Sequence, residues 1–212
     1  MPAPTTRKPR ASSQARIAVI LDAARALLAE SGAASLSIYA VAERAGIPPS
    51  SVYHFFPSVP ALLQGLTNDV HAAFRACLER PIDHAQLREW RDLSRIVEQR
   101  MLEVYADDAA ARQLILASHG LAEVTQADSQ HDVQLGEAMR QLFERHFELP
   151  PLPRDIEVFS LAMELGDRVY ALSMQRHGHI SERLAEEGMR VFDAYLGLYL
   201  PPGLPKRAQP LS

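Results

Sequence analysis

The stretch that decides the fold is AGIPPSSVYHFFPS, residues 45–58, in which a glycine and two prolines precede a block of rings. Proline suits the first turn of a helix, because its fixed φ is already helical and its missing N–H would have no partner there. Pro48 and Pro49 therefore predict a helix start, and Pro57 predicts its end. The spacing packs Val52 and Phe56 inward and leaves an outward face of Ser50, Ser51, Tyr53 and His54.

Two more helices are predicted upstream of this segment. In SSQARIAVILDAARALLAESG, residues 12–32, apolar residues recur at helical spacing, with Ser12 or Ser13 as the expected cap. SIYAVAERA, residues 37–45, predicts a second, shorter helix that Ser37 caps. Gly46 follows it and permits the left-handed backbone of a tight turn. Two short helices joined by a glycine turn form the outline of a helix-turn-helix.

Helical periodicity continues beyond Ser58, and strand alternation is nearly absent. We expect an all-α chain of about nine helices in total, with a three-helix N-terminal helix-turn-helix domain and a larger helical domain. The six longer helices are predicted at 58–79, 84–106, 108–119, 130–148, 154–177 and 180–199.

Composition and charge are those of a globular protein with one basic end. The 212 residues are 47% hydrophobic and 23% charged, with a net charge of −4. Residues 1–60 carry six Lys or Arg against three acids, which suggests a polyanion as the partner of this end. Charge alone would favour the alternative, a solvated disordered tail. A single cysteine, Cys77, excludes an intrachain disulfide and favours a reducing compartment. The sequence has no apolar run of signal-peptide or membrane-span length, so we expect a cytoplasmic protein with no membrane partner.

The sequence does not favour an enzyme. It lacks GxGxxG, a phosphate-binding glycine loop with lysine, GxSxG and HExxH. DSQHD, residues 128–132, and HGH, residues 177–179, contain ligand-type side chains, but their spacing matches no known metal site. We therefore expect no catalytic residues, no metal and no cofactor.

The pieces ILDAARALLAESG, LSIYAVAERAGI and SSVYHFFPS followed by ALL, within Arg16 to Leu62, resemble the DNA-binding domain of the TetR family of transcriptional regulators. The resemblance implies a bacterial homodimer that acts as a repressor and that a small-molecule effector releases from a near-palindromic double-stranded DNA operator. It also implies that the helix starting near Pro48 enters the major groove. The DNA-binding residues it implies are Ser37, Tyr39, Pro49, Ser50, Ser51, Tyr53 and His54, with Arg7, Lys8, Arg10 and Arg16 following the backbone or the minor groove.

Two departures from the family pattern weaken the expected grip on phosphate. Pro48 and Pro49 stand where family members commonly have polar residues, and they remove two backbone N–H donors. Val59 and Pro60 stand where the family usually has a lysine and an acid. These departures leave open an alternative, a helical small-molecule-binding protein with weakened or lost DNA binding.

The larger half is expected to dimerise and to enclose the effector. The last two predicted helices carry apolar surface too wide for one packed face, which predicts a dimer interface that includes Leu184, Gly188, Val191, Phe192, Tyr195 and Tyr199. The pocket residues that the resemblance implies are Phe74, Trp90, Met101, Tyr105, Phe143, Met163, Glu164, Asp167 and Tyr170. The expected organisation is a basic flexible arm over 1–12, the helix-turn-helix over 13–58, the effector-binding and dimerisation domain over 59–200 and a disordered tail over 201–212.

Overall fold

The computed structural model describes residues 10–117 and 122–210, and within these ranges the chain forms nine α-helices and no β-strand. The prediction of an all-α fold with about nine helices is confirmed. None of the described helices has an apolar stretch long enough to span a membrane. The helices are α1 Arg10–Ser31, α2 Ile38–Ala45, α3 Pro49–Phe55, α4 Val59–Glu79, α5 Trp90–Asp107, α6 Ala109–Ala111, α7 Ala122–His146, α8 Val158–His177 and α9 Glu182–Leu196.

Several helix ends differ from the predicted ones for local reasons. Helix α1 already includes Arg10, so the last residues of the expected arm are helical and neither Ser12 nor Ser13 is its cap. The helix expected over 84–106 begins only at Trp90, because the Asp92 carboxylate accepts the backbone N–H groups of Arg88 and Glu89 and caps α5 there. The short α6 continues as a π-helical stretch, Arg112–Ala117.

The chain divides into two compact units, Met1–Leu66 and Thr67–Ser212. This division lies within α4 and not at the expected boundary after Ser58, because the first turns of α4 are part of the first core. Leu62 and Leu66 are completely buried there. A Cβ on Gly65 would lie 2.6 Å from Cε1 of Phe56, so the ring of Phe56 packs directly on the α4 backbone.

In the second unit, α8 and α9 form an antiparallel pair. The Ser173 hydroxyl donates to the carbonyl of His179 at 2.9 Å and accepts from the N–H of Ser181 at 2.9 Å, which closes the turn between the helices. Further along, a Cβ on Gly166 would lie only 3.6 Å from the carbonyl oxygen of Gly188. The two small residues therefore let the backbones of α8 and α9 come close.

The end of the described chain is ordered, where a disordered tail was expected. Leu200, directly before Pro201, and Leu204, directly before Pro205, are buried. They anchor residues 200–207, which we call the C-terminal strap. The Nζ of Lys206 donates to the carbonyl of Leu87 at 2.6 Å, and the N–H of Arg207 donates to the carbonyl of His146 at 2.9 Å. The strap is held by these long-range hydrogen bonds. Its proline-rich sequence has no periodicity from which they could be predicted.

Candidate nucleic-acid interface

The turn between α2 and α3 is built as the sequence predicts. Ser37 caps α2, since its Oγ accepts the N–H of Ala40 at 3.1 Å. Gly46 ends α2 in the left-handed conformation, with φ 64° and ψ 32°. The N–H of Ile47 then bonds back to the carbonyl of Ala42 at 3.0 Å, which closes the end of the helix.

Helix α3 starts and stops at the predicted prolines. Pro48 is its N-cap and Pro49 its first residue, and the helix ends at Phe55 before Pro57. Val52 is completely buried, so the opposite side of α3 faces outward. On that side Ser50, Tyr53 and His54 are exposed, and Ser51 and Pro49 are half-buried.

The exposed face continues from α3 onto α2 through two aromatic rings. Tyr39, in the first turn of α2, is 67% exposed, and Tyr53 of α3 is 43% exposed. Their ring centroids are 6.3 Å apart and the planes meet at 80°, an edge-to-face contact. We call these two residues the tyrosine pair. Large rings left this open to solvent, and braced against each other, form a surface suited to contact with a partner.

Positive charge is scarce on this face. Between Ser37 and Ser58 the sequence contains one Lys or Arg, Arg44. Its guanidinium makes a two-pronged ion pair with Glu30 of α1, in which Nη1 donates to Oε1 at 2.9 Å and Nη2 donates to Oε2. This contact raises the pKa of Arg44 and lowers the pKa of Glu30, chiefly through the hydrogen bonds between them. The exposed face of α2 and α3 therefore presents hydroxyls and aromatic rings, with little positive charge that is not already paired.

Only part of the expected basic arm lies within the described residues. Arg7 and Lys8 lie outside the described residues, and Arg10 is the first residue of α1. Arg16 is exposed on the second turn of α1. Its position is compatible with a contact to a polyanion, and the contact itself stays a prediction.

The helices of this helix-turn-helix match a known protein family. The model of the bacterial regulatory proteins of the tetR family matches residues 20–66, a range that runs from α1 through the first turns of α4. The N-terminal domain is a TetR-family helix-turn-helix domain. No curated protein sequence matches the chain.

Several solved structures share the fold beyond this domain. A TetR-family transcriptional regulator from Streptomyces coelicolor is 25% identical, with 87% of this chain and 99% of that chain aligned at a TM-score of 0.66. NalD from Pseudomonas aeruginosa, the secondary repressor of the MexAB-OprM multidrug efflux pump, is 20% identical over 91% and 99%, at 0.56. The SmeT–triclosan complex is 21% identical over 94% and 100%, at 0.62.

Three of the residues expected to line an effector pocket come together in the second unit. The rings of Phe74 and Tyr105 lie 5.0 Å apart, and those of Tyr105 and Tyr170 lie 6.2 Å apart. Met101 and Met163 are also buried. These rings belong to α4, α5 and α8, which makes them one aromatic core that the sequence spacing alone does not show.

The remaining pocket candidates are dispersed. Trp90 donates its indole N–H to the carbonyl of Pro201 at 3.1 Å, so it lies under the C-terminal strap. Phe143 packs on Phe159 at 5.1 Å. Glu164 is exposed on α8, and Asp167 is half-buried.

Two cavities lie elsewhere in the second unit, and neither is lined by an expected pocket residue. One, of about 220 Å³, lies between α7 and the start of α8, against Arg140, Arg154 and Ser160. The other, of about 360 Å³, lies where α4 and α7 end, against Ile82, Leu142 and other residues. The position of an effector pocket therefore stays a prediction.

A buried acid beside the aromatic core was not predicted from the sequence. The carboxylate of Glu98 on α5 is 3% exposed and accepts the hydroxyl of Tyr170 at 2.8 Å. Burial raises the pKa of Glu98 to about 7, with a further contribution from Asp193. The sequence contains a signal for the burial of Glu98, because this residue lies four positions after Ser94 and three before Met101, on the apolar face of α5.

Two of the residues expected at a dimer interface lie inside the chain's own core. Phe192 is completely buried, and a Cβ on Gly188 would lie 2.1 Å from Cε1 of Tyr170, so Gly188 is small because Tyr170 packs on it. Part of the apolar stripe is therefore covered by α8 of the same chain, and the dimer interface itself stays a prediction. The candidates that remain half-open are Leu184, Val191, Tyr195 and Tyr199.

Proposed function

We propose that this chain is a homodimeric, ligand-responsive DNA-binding regulator, and specifically a repressor that a small molecule releases from a near-palindromic operator. The observation that carries the proposal is the exposed face of α2 and α3, with Ser50, Tyr53 and His54 outward on a helix held by Val52 and Phe56. In helix-turn-helix proteins the second helix places such residues against base edges and phosphates.

DNA binding is tested by selection from random duplex DNA with the full-length chain at physiological salt. We expect enrichment of two half-sites about 10–10.5 base pairs apart, the spacing at which a two-fold dimer meets one face of the helix. Tyr53→Ala should lower the affinity for the selected duplex. Ser31→Ala, at the exposed end of α1, is the matched control and should bind as the native chain does. Selection that enriches no sequence would overturn the proposal.

The dimer is supported by apolar side chains left open on α8 and just beyond the end of α9. Leu161 is 37% exposed and Leu198 is 75% exposed. Val191 and Phe192 provide a matched pair of neighbours, because Val191 is half-open and Phe192 is in the core. Val191→Asp should sediment as a monomer and keep its helix content in far-UV circular dichroism. Phe192→Ala should instead lower the free energy of unfolding by about 3–5 kcal/mol, because it leaves a cavity in the core. A Val191→Asp chain that stays dimeric would argue against this interface.

The effector part of the proposal is supported by the aromatic core of Phe74, Tyr105 and Tyr170 with the buried Glu98 beside it. SmeT with triclosan and EbrR with imidazole are structural neighbours that hold small molecules. An apolar core with one polar group is the usual composition of a small-molecule site. An effector should weaken operator binding by about 5- to 150-fold, which corresponds to a coupling of about 1–3 kcal/mol.

Effector binding can be tested by titrating apolar aromatic compounds, triclosan among them, against the chain and its operator. A compound that raises the melting temperature should also release the DNA, and Tyr105→Ala should weaken both effects together. Stabilisation without release of the operator would contradict ligand-dependent repression.

A second function is favoured by the shortage of free cations on the exposed face of α2 and α3, which we call the recognition face. Arg44 is bound to Glu30, and Val59 begins α4 where the family usually has lysine. A chain with these features could bind small molecules without binding DNA. The two functions separate in one measurement: a chain that binds apolar compounds but gives no salt-dependent affinity for any selected duplex has the second function.

A further inference from the structure

The tyrosine pair is the most prominent unexplained feature of the recognition face. Tyr39 and Tyr53 come from different helices of the helix-turn-helix and meet edge to face at 6.3 Å. Their exposed fractions of 67% and 43% are far above what a ring needs for packing inside this small domain. A ring pair of this kind presents a continuous apolar edge to whatever the face binds.

The other groups on the face discriminate poorly between base pairs. Specific contacts to guanine are made most often by arginine or lysine, and Arg44 is held by Glu30. Ser50 and Ser51 can bond to almost any base edge or phosphate, so they give little preference. Apart from His54, whose imidazole is also exposed, the sequence preference of α2 and α3 must therefore come largely from the two tyrosine rings.

The start of α3 adds to the apolar character of the face. Pro48 is exposed and Pro49 is half-buried, and neither has a backbone N–H to offer a phosphate or a base. The end of the helix that approaches base edges is therefore poor in hydrogen-bond donors. Among the groups in the major groove, the thymine C5-methyl is the one that an apolar surface recognises.

We infer that the tyrosine pair reads thymine methyl groups, so that each operator half-site contains A·T pairs whose thymines meet the edges of Tyr39 and Tyr53. The inference rests on the proposed DNA binding and goes further, because it names the chemical group that is recognised. The hydroxyls of the pair have a separate role: as donors they can meet phosphates, which positions the domain without reading sequence.

The test uses the selected duplex and replaces single thymines by deoxyuridine, which removes one methyl group and leaves every hydrogen bond in place. At the contacted positions we expect about a fourfold loss of affinity per methyl, from the burial value of one methylene-sized group. Replacement of thymines outside the half-sites is the control and should change nothing.

Protein variants then assign the effect to the pair. Tyr39→Ala and Tyr53→Ala should abolish the difference between thymine and deoxyuridine duplexes, because the apolar edge is gone. Tyr39→Phe and Tyr53→Phe keep the ring, so they should keep that difference while weakening both duplexes equally. Melting curves of each variant identify any that fails to fold, and the phenylalanine variants carry the test in that case.

The outcomes separate this inference from the proposed function. If no duplex is selected at all, DNA binding itself fails. If a duplex is bound but deoxyuridine has no effect, or its half-sites lack thymine, the function stands and the methyl readout is overturned. If the deoxyuridine effect persists unchanged in both alanine variants, the methyl is read by another residue and the assignment to the tyrosine pair is overturned.

Discussion

Replacement of Glu98 by glutamine should change how the stability of the second unit depends on pH. The Glu98 carboxylate is buried between α5 and α8, and its hydrogen-bond donor is the Tyr170 hydroxyl at 2.8 Å. Burial raises its pKa from 4.5 to about 7, and the charge of Asp193 acts in the same direction. The folded protein thus holds this proton more tightly than the unfolded chain does. The stabilisation is complete below pH 4.5 and is lost as the pH rises through about 7.

The size of the effect follows from the displacement of the pKa. A pKa of about 7 in place of 4.5 corresponds to about 3 kcal/mol of unfolding free energy, lost from the acidic side of this window to about pH 8. This loss is a large part of the roughly 5–15 kcal/mol by which a domain is normally stable. Glu98→Gln keeps an oxygen that accepts from Tyr170 and cannot ionise, so the variant should not lose this stability.

Urea unfolding, followed by far-UV circular dichroism at several pH values between about 5 and 8, measures the effect through the midpoint at constant m-value. The native chain should lose stability towards the alkaline end, and Glu98→Gln should hold it. Glu103→Gln, on the exposed side of the same helix, is the matched control and should follow the native chain. An equal alkaline loss in the native and Glu98→Gln chains would refute a buried, titrating Glu98.

Three further predictions concern other parts of the chain. Gly188→Ala should destabilise by about 1–3 kcal/mol in urea unfolding, since its Cβ would lie 2.1 Å from Tyr170, whereas Gly203→Ala, with nothing within 4 Å, should not. Acid should loosen the C-terminal strap as the pH falls from about 6.5 towards 4, because burial and the nearby His84 lower the pKa of His146 to about 4. Hydrogen exchange at the Arg207 amide, which bonds to the carbonyl of His146, should become faster over that pH range. An exchange rate that follows only the intrinsic pH dependence would contradict this prediction. Val59→Lys should steepen the salt dependence of DNA affinity by about 0.9 if it restores a phosphate contact, and Val59→Gln, which adds no charge, should leave the slope unchanged.

Two stacked imidazoles, those of His84 and His146, are the reason why acid should loosen the strap. His84 Nε2 lies 3.0 Å from the carbonyl oxygen of Arg207, and because a carbonyl can only accept, this nitrogen carries the proton. His84 Nδ1 is then an acceptor, and the Nδ1–H of His146 donates to it at 2.9 Å. Burial disfavours a second proton on His146. The stability that His146 contributes is therefore lost on the acidic side, whereas the stability that Glu98 contributes is lost on the alkaline side.

The helix-turn-helix was predictable because its signals are local. Ser37, Gly46 and Pro49 act on the backbone within a few residues of themselves, and each stands in the structure where its chemistry places it. The tyrosine pair was predictable only as two separate exposed residues. Their contact depends on how α2 and α3 cross, and no spacing within either helix contains that information.

The second unit was less predictable because burial does not say which neighbour covers a face. Glutamate is a residue type that usually lies on the surface, and only the position of Glu98 on the apolar face of α5 indicated its burial. The strap shows the opposite error, since proline and glycine predicted disorder while Leu200 and Leu204 found buried sites. In both cases the deciding partner lies far away in the sequence.

The stripe of α9 shows what an apolar pattern can and cannot decide. Gly188, Phe192 and Leu196 recur every four residues and face α8 and the core, where they are buried. Val191 and Tyr195 follow the same period, displaced by one residue, and stay half-open. The buried row packs within the chain. We propose that the open row, together with Leu198, which is exposed just beyond the end of α9, packs on a second copy of the chain.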